Sequence, residues 1–233
     1  FRKEPRPHQF YDPKARSCAK FLAETCARTF GWDYSPYAEL VRWADLIDGA
    51  QFESPRAAVE LAEPALQLMT WVENNHEDDL KLRFIDELTR RPLAEIAEEP
   101  YIVSALTPIL ERHKGSVGVI RARARYESGV VDFDVSGDGV DIYNKFIPYY
   151  LFPDCHYVVG VSLSKTRAKV SVGSNPWRPE RRTANIAQIC ERYGGGGHPV
   201  VGAVSLRTDE LERAKEVAGE IAVELRRAAA GEP

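Results

Sequence analysis

Hydrophobic positions recur every three or four residues through the first half of the chain and every second residue after Gly129. Cys18, Phe21, Leu22, Cys26 and Phe30 share one face of a predicted helix that Asp12-Pro13 opens and Gly31 stops. The two cysteines lie about two turns apart on that face and are expected to be buried together. Ser35-Pro36 starts a second helix carrying Tyr37, Leu40, Val41 and Ala44, and Ser54-Pro55 begins a longer helical stretch interrupted at Pro64, Pro92, Pro100 and Pro108. After Gly129 the segment 130–135 alternates and Ser136-Gly137-Asp138-Gly139 has turn chemistry. Further strand candidates are 145–152, 157–162, 168–172 and 200–206. A helix over 183–193 and a closing helix capped by Thr208 complete the pattern. It predicts an α/β chain with boundaries at 1–53, 54–128 (a helical linker) and 129–233 (a mixed-sheet α/β domain).

Composition changes this picture little. Across 233 residues, 44% are hydrophobic and 28% charged, the balance of a soluble globular protein. No apolar run approaches the roughly 20 residues that span a bilayer, and the first residues lack the apolar core of a secretory signal. A cytoplasmic protein with no membrane partner is expected. The four cysteines form no CxxC pair or zinc spacing and read as free thiols.

Charge adds more. The formal net charge of -4 argues against coating duplex nucleic acid. Residues 161–192 nevertheless hold Lys165, Arg167, Lys169, Arg178, Arg181, Arg182 and Arg192 against Glu180 and Glu191. A local basic face on an acidic chain suits a small anion or a short strand.

Near the end of this basic region stands Gly194-Gly195-Gly196-Gly197-His198, between a predicted helix and a predicted strand. Four glycines carry a large entropic cost and are kept where backbone goes and side chains cannot. Their N–H groups are expected to form a nest for phosphate oxygens, with His198 as an added donor. The run is neither a Walker loop nor a dinucleotide fingerprint, because no Lys-Ser/Thr follows it and it opens no helix.

The stretch GVSLSKTRAKVSVGSNPW followed by NIAQICERYGGGGHPVVGAVSL resembles the DHH-associated C-terminal domain of the DHH phosphoesterase superfamily, over residues 129–206. The matching positions are Asn185-Ile186-Ala187, Gly194 to His198, and Gly202; the chain departs at Val200-Val201, where alanines are usual. Upstream, Asp45 to Phe52 resembles the end of that superfamily's catalytic domain, with Asp48 in the position of a catalytic metal ligand and Asp45 either structural or supporting the ligands from behind. Residues 1–53 are then the C-terminal part of a DHH-type catalytic domain.

The resemblance implies hydrolysis of phosphoester bonds in short oligonucleotides, cyclic dinucleotides or nucleoside bisphosphates, assisted by two Mn²⁺ (or Mg²⁺) ions in the complete enzyme. It assigns substrate contacts to Gly194, Gly195, Gly196, Gly197, His198, Arg167, Lys165, Asn185 and Arg182. Trp177 is expected either to stack on a base or to pack. The Asp-His-His motif itself is absent, Asp154-Cys155-His156 is a superficial echo in the other domain, and Asp48 alone cannot hold two ions. The remaining ligands are expected upstream of Phe1. The expected partner is a nucleotide or short single-stranded oligonucleotide; a homodimer is compatible with the sequence but not indicated by it. The alternative is a nucleotide- or RNA-binding module without catalysis.

Overall fold

A computed structural model describes residues 9–231. Among them the elements run α1 (Cys18–Phe30), α2 (Ala38–Asp48), α3 (Pro55–Glu60), α4 (Pro64–Asn74), α5 (Asp78–Leu88), α6 (Leu93–Ala97) and α7 (Pro100–Arg123). They continue with β1 (Arg125–Glu127), β2 (Val130–Asp134), α8 (Ile147–Leu151), β3 (Tyr157–Leu163), β4 (Ala168–Ser174), α9 (Ile186–Glu191), β5 (Gly196–His198), β6 (Val201–Leu206) and α10 (Leu211–Ala230). The chain is mixed α/β. No helix among the described residues is long and apolar enough to cross a membrane.

Two compact units form, one from 9–53 with 61–107 and one from 54–60 with 108–231. Residues 61–107, read from the sequence as linker, thus group with the first segment. In that unit α1 starts later than Asp12-Pro13 suggests. Ser17 is its N-cap and accepts from Lys20 N, whereas the Asp12 carboxylate accepts from Lys14 N in a local turn. Gly31 does stop the helix, at φ 67°, with its N–H on the Ala27 carbonyl. The buried positions of α1 are Ala23 and Thr25, leaving Cys18 exposed and Cys26 half-buried, against the shared buried face expected for them. Farther along, fully buried Trp71 packs on Phe84 and Tyr101 at 5.2 and 5.7 Å between ring centres.

The second unit is built on a six-stranded sheet of order β1-β2-β3-β4-β6-β5, in which β2 and β3 are parallel and the other pairs antiparallel. Its first hairpin crosses the boundary expected at residue 128. Ser128 (φ 47°) and Gly129 (φ 81°) form the two-residue turn between β1 and β2, and a tight hairpin needs positive φ at both positions. Residues 54–60 join this unit because α3's last carbonyls find donors here. Asn144 Nδ2 donates to Ala58 O at 2.8 Å and His113 Nε2 to Val59 O at 2.7 Å.

One face of the sheet, through Val159, Val161, Val170, Val172 and Val204, meets Ile186 and Ile189 of α9 and Val217, Ile221 and Leu225 of α10. Each fully buried side chain of this size stabilises the fold by about 1.5–3 kcal/mol. The strand expected over 145–152 is instead the short helix α8. Pro148 stands in its first turn, where a missing N–H costs nothing, whereas in a strand it would break the ladder.

Candidate phosphate-binding site on the open sheet face

Helix α9 is capped by Asn185, whose side chain accepts from Gln188 N at 3.3 Å. The Asn185 side chain, assigned to substrate by the resemblance, here serves as the helix cap. The helix ends in the glycine run, and its last carbonyls need donors. Gly194 N–H bonds Glu191 O and Gly195 N–H bonds Cys190 O, with Gly194 left-handed at φ 74°. Gly196 to His198 then form edge strand β5. The nest of four free N–H groups expected from the sequence is not what these bonds build: two donors close the helix and the next three residues enter the sheet.

The glycines divide by what surrounds them. A Cβ on Gly195 would overlap the Ala203 carbonyl, and one on Gly197 the Val201 carbonyl. Gly202 lies against α9, where a Cβ would come 2.7 Å from Cys190 Sγ. Gly196 differs: its φ is ordinary and a Cβ there would meet nothing within 4 Å. The fold has no need of a glycine at 196.

Register decides which side chains share its face. Along β4, Ala168, Val170, Val172 and Ser174 point into the core, so Lys169, Ser171 and Gly173 point the other way. Directly paired residues share a face. Pairing of β4 with β6 sets Ser171 beside Ala203 and Gly173 beside Val201. Pairing of β5 with β6 sets Gly196 beside Ala203 and His198 beside Val201. Gly196, exposed His198 and half-buried Lys169 therefore lie on the face opposite α9 and α10.

Part of this face is covered by aromatic side chains. The Tyr143 hydroxyl lies over Gly160, where a Cβ would come within 2.7 Å of it; Tyr149 covers Gly173. Burial pushes the Tyr143 phenol up to about 12 and raises Tyr149 well above its ordinary value, so both stay neutral. Trp177 meets Phe146 and Tyr149 edge-on at 5.6 and 6.1 Å, which is the packing alternative stated for it. What stays open is the strip over β6 and β5, with Lys169 at one end and His198 at the other.

The basic residues separate into two groups. Lys165 and Arg167 are exposed in the β3–β4 turn, at the end of the sheet away from His198. They do not feed the glycine run, because the hairpin register sends them the opposite way. Burial lowers the pKa of Lys169, and the neighbouring cations Arg167 and Lys145 lower it further. The sequence showed Lys169 only as one charge among seven; its alternation with Ala168 and Val170 was the signal that places it on the open face. The arginines after β4 have protein partners. Arg178 pairs with Asp154, Arg181 donates to Asp154 O and to His156 Nε2, and Arg182 Nη2 lies 3.4 Å from Asn175 O.

The described residues do not assemble a two-ion centre. Asp48 is the exposed last residue of α2, followed by Gly49. Asp45 accepts from Ser17 Oγ and Lys20 Nζ at 3.0 and 3.1 Å, the structural role expected for it. No three His, Cys, Asp or Glu side chains among the described residues gather as metal ligands. A single exposed carboxylate does not fit a two-metal site. The thiols of the second unit are held protonated, since burial raises Cys155 to about 12 and raises Cys190 as well.

No family model matches the chain, and no curated protein matches it. Solved structures do. An exopolyphosphatase-related protein from Bacteroides fragilis is 15% identical over 81% of this chain and 57% of its own, at a TM-score of 0.38. A DHH domain from a member of a family of ribosomal proteins is 11% identical over 80% of this chain and 44% of its own, at 0.41. A pGpG-specific phosphodiesterase from Vibrio cholerae is 20% identical and covers 98% of this chain and 78% of its own, with a TM-score of 0.75. Across nearly its whole length, the chain has the fold of that phosphodiesterase.

Proposed function

We propose that this chain is the substrate-holding part of a DHH-type phosphoesterase and binds a nucleotide or short oligonucleotide on the strip between Gly196 and Lys169. The observation that carries this reading is Gly196. It is a glycine that neither φ nor packing demands, two residues from exposed His198 and on the same face. Glycine at such a position lets a ligand approach the backbone closely. His198 is the adjacent donor for a phosphate oxygen. The likeness to a pGpG-specific phosphodiesterase makes pGpG the first ligand to test.

Divalent-metal dependence is part of the proposal through the resemblance. No catalytic step is assigned to this chain's own residues: they bind, orient and shield the phosphoester. The absence of a ligand cluster among the described residues favours a second reading, binding without turnover. One experiment separates them. Incubating the full-length protein with pGpG and Mn²⁺ while following nucleotide release supports the first reading if product forms, and the second if pGpG binds and persists. Absence of any binding overturns both.

A further inference from the structure

We infer that Lys145, Arg167 and Lys169 form a second anion subsite at the end of the open face away from His198, so that the ligand carries phosphates at two separated positions. A dinucleotide or longer strand fits this requirement and a nucleoside monophosphate does not. The inference rests on the reading of the Gly196–His198 strip as a phosphoester site.

The first argument is charge. Most other arginines of the second unit have carboxylate partners: Arg123 meets Asp138, Arg192 meets Glu224, Arg213 meets Glu216 and Glu220, and Arg226 meets Asp132. Among the described residues, Lys145, Arg167 and Lys169 make no ion pair. The two charges acting most on half-buried Lys169 are the other two cations. Lys145 sets its ammonium 5.1 Å from the Phe146 ring centre, an interaction with an aromatic face that supplies no counter-charge. Three neighbouring cations, one partly desolvated, oppose folding by mutual repulsion. A bound phosphate reverses that sign.

The second argument is distance. Lys169 pairs with Ser205, and His198 pairs with Val201, four residues back along β6. Adding one inter-strand step on each side puts the two Cα atoms about 17 Å apart. One phosphate group touches both ends only if both side chains stretch fully toward each other along the strip, whereas side chains in a strand stand roughly perpendicular to the sheet. Phosphates on successive nucleotides relax that demand.

The test is isothermal titration of the full chain with pGpG and with GMP, comparing wild type, Lys169→Met, Lys169→Arg, Arg167→Gln and His198→Ala. Lys169→Met is expected to weaken pGpG about tenfold, the size of one charged hydrogen bond, and to leave GMP within about twofold. Its log Kd against log salt slope for pGpG should fall by about 0.7, the loss of one phosphate contact to a single strand. Lys169→Arg should restore both, and Arg167→Gln, in the exposed turn, should weaken pGpG in the same sense. Lys169→Met should unfold at no lower temperature than wild type, because it removes a desolvated charge and keeps the aliphatic stem. If it leaves pGpG affinity unchanged while His198→Ala weakens it, the second subsite is overturned and the His198 reading stands. Equal losses for pGpG and GMP also overturn the subsite, since they describe one undivided site. If His198→Ala changes neither ligand, the reading beneath it fails too.

Discussion

Gly196 shows how a residue's role is read from what the fold does not ask of it. Its neighbours Gly195 and Gly197 touch β6 backbone, so an added methyl forces the edge hairpin apart. Gly195→Ala and Gly197→Ala should each cost about 1–3 kcal/mol, the usual penalty of overpacking. Gly196→Ala should leave stability within about 0.5 kcal/mol or raise it slightly by stiffening the unfolded chain. Its effect belongs to binding: affinity for pGpG should fall while urea melts stay level. A Gly196→Ala protein that binds as wild type does would remove the site from this strip. The sequence exposed the four glycines as a unit, but only the register separates the helix stop, the two packing positions and the open one. His156 is a second residue whose meaning emerged late. Burial and the Arg181 guanidinium hold its imidazole below the ordinary 6.5. The unfolded chain therefore takes up this proton first as pH falls, and stability drops on going below about pH 6.5. In His156→Gln, the loss of urea stability between pH 7.5 and 5.5 should shrink; an unaltered loss would assign it to other groups.

At the scale of elements, the legible parts were those governed by local period. The alternation after Gly129, the strands around 157–162 and 168–172, and the apolar face of α10 all stand where the pattern set them. The errors occur where long-range partners override local signals. The run 145–152 is apolar enough for a strand, yet Pro148 suits the first turn of α8. Asp12-Pro13 has the chemistry of a helix start, but Ser17 takes that place. Asn175 carries a more instructive case, since nothing in the sequence marks its importance. Fully buried, it donates to Pro153 O and Cys155 O at 3.0 and 2.8 Å and accepts from Trp177 N at 3.0 Å, joining the approach to β3 to the exit from β4. An amide fits because both donors meet carbonyls. In Asn175→Asp a carboxylate would face those same two oxygens, and the variant should lose about 3–5 kcal/mol, as for an unpaired buried charge. Thermal melts at pH 7 and pH 4 check it. Protonating the new acid should recover part of the loss relative to wild type at the same pH, and equal stability at both values would contradict the geometry.

For the molecule as a whole, the sequence suggested a class of chemistry more readily than a division of labour. The GGGGH segment pointed to phosphate, and over nearly the full chain the fold is that of a solved phosphodiesterase. The sequence also grouped Lys165 and Arg167 with the glycines, because nearness along a hairpin looks like nearness in space until strand order is known. In the structure the cations hold one end of the strip and His198 the other. None of these contacts requires an ion. Asp48, the one carboxylate assigned to metal, belongs to the other compact unit and gathers no second ligand among the described residues. Binding by this chain should therefore be independent of divalent metal. With pGpG titrated in EDTA and again with Mn²⁺ present, Kd is expected to agree within about twofold, because a uniform binding contribution comes from the groups that touch the phosphates. Any turnover should respond to metal separately, through kcat and not through KM. A Kd that collapses in EDTA would mean that the phosphate grip depends on an ion, and would move the site from the Gly196–Lys169 strip to the carboxylate-bearing unit.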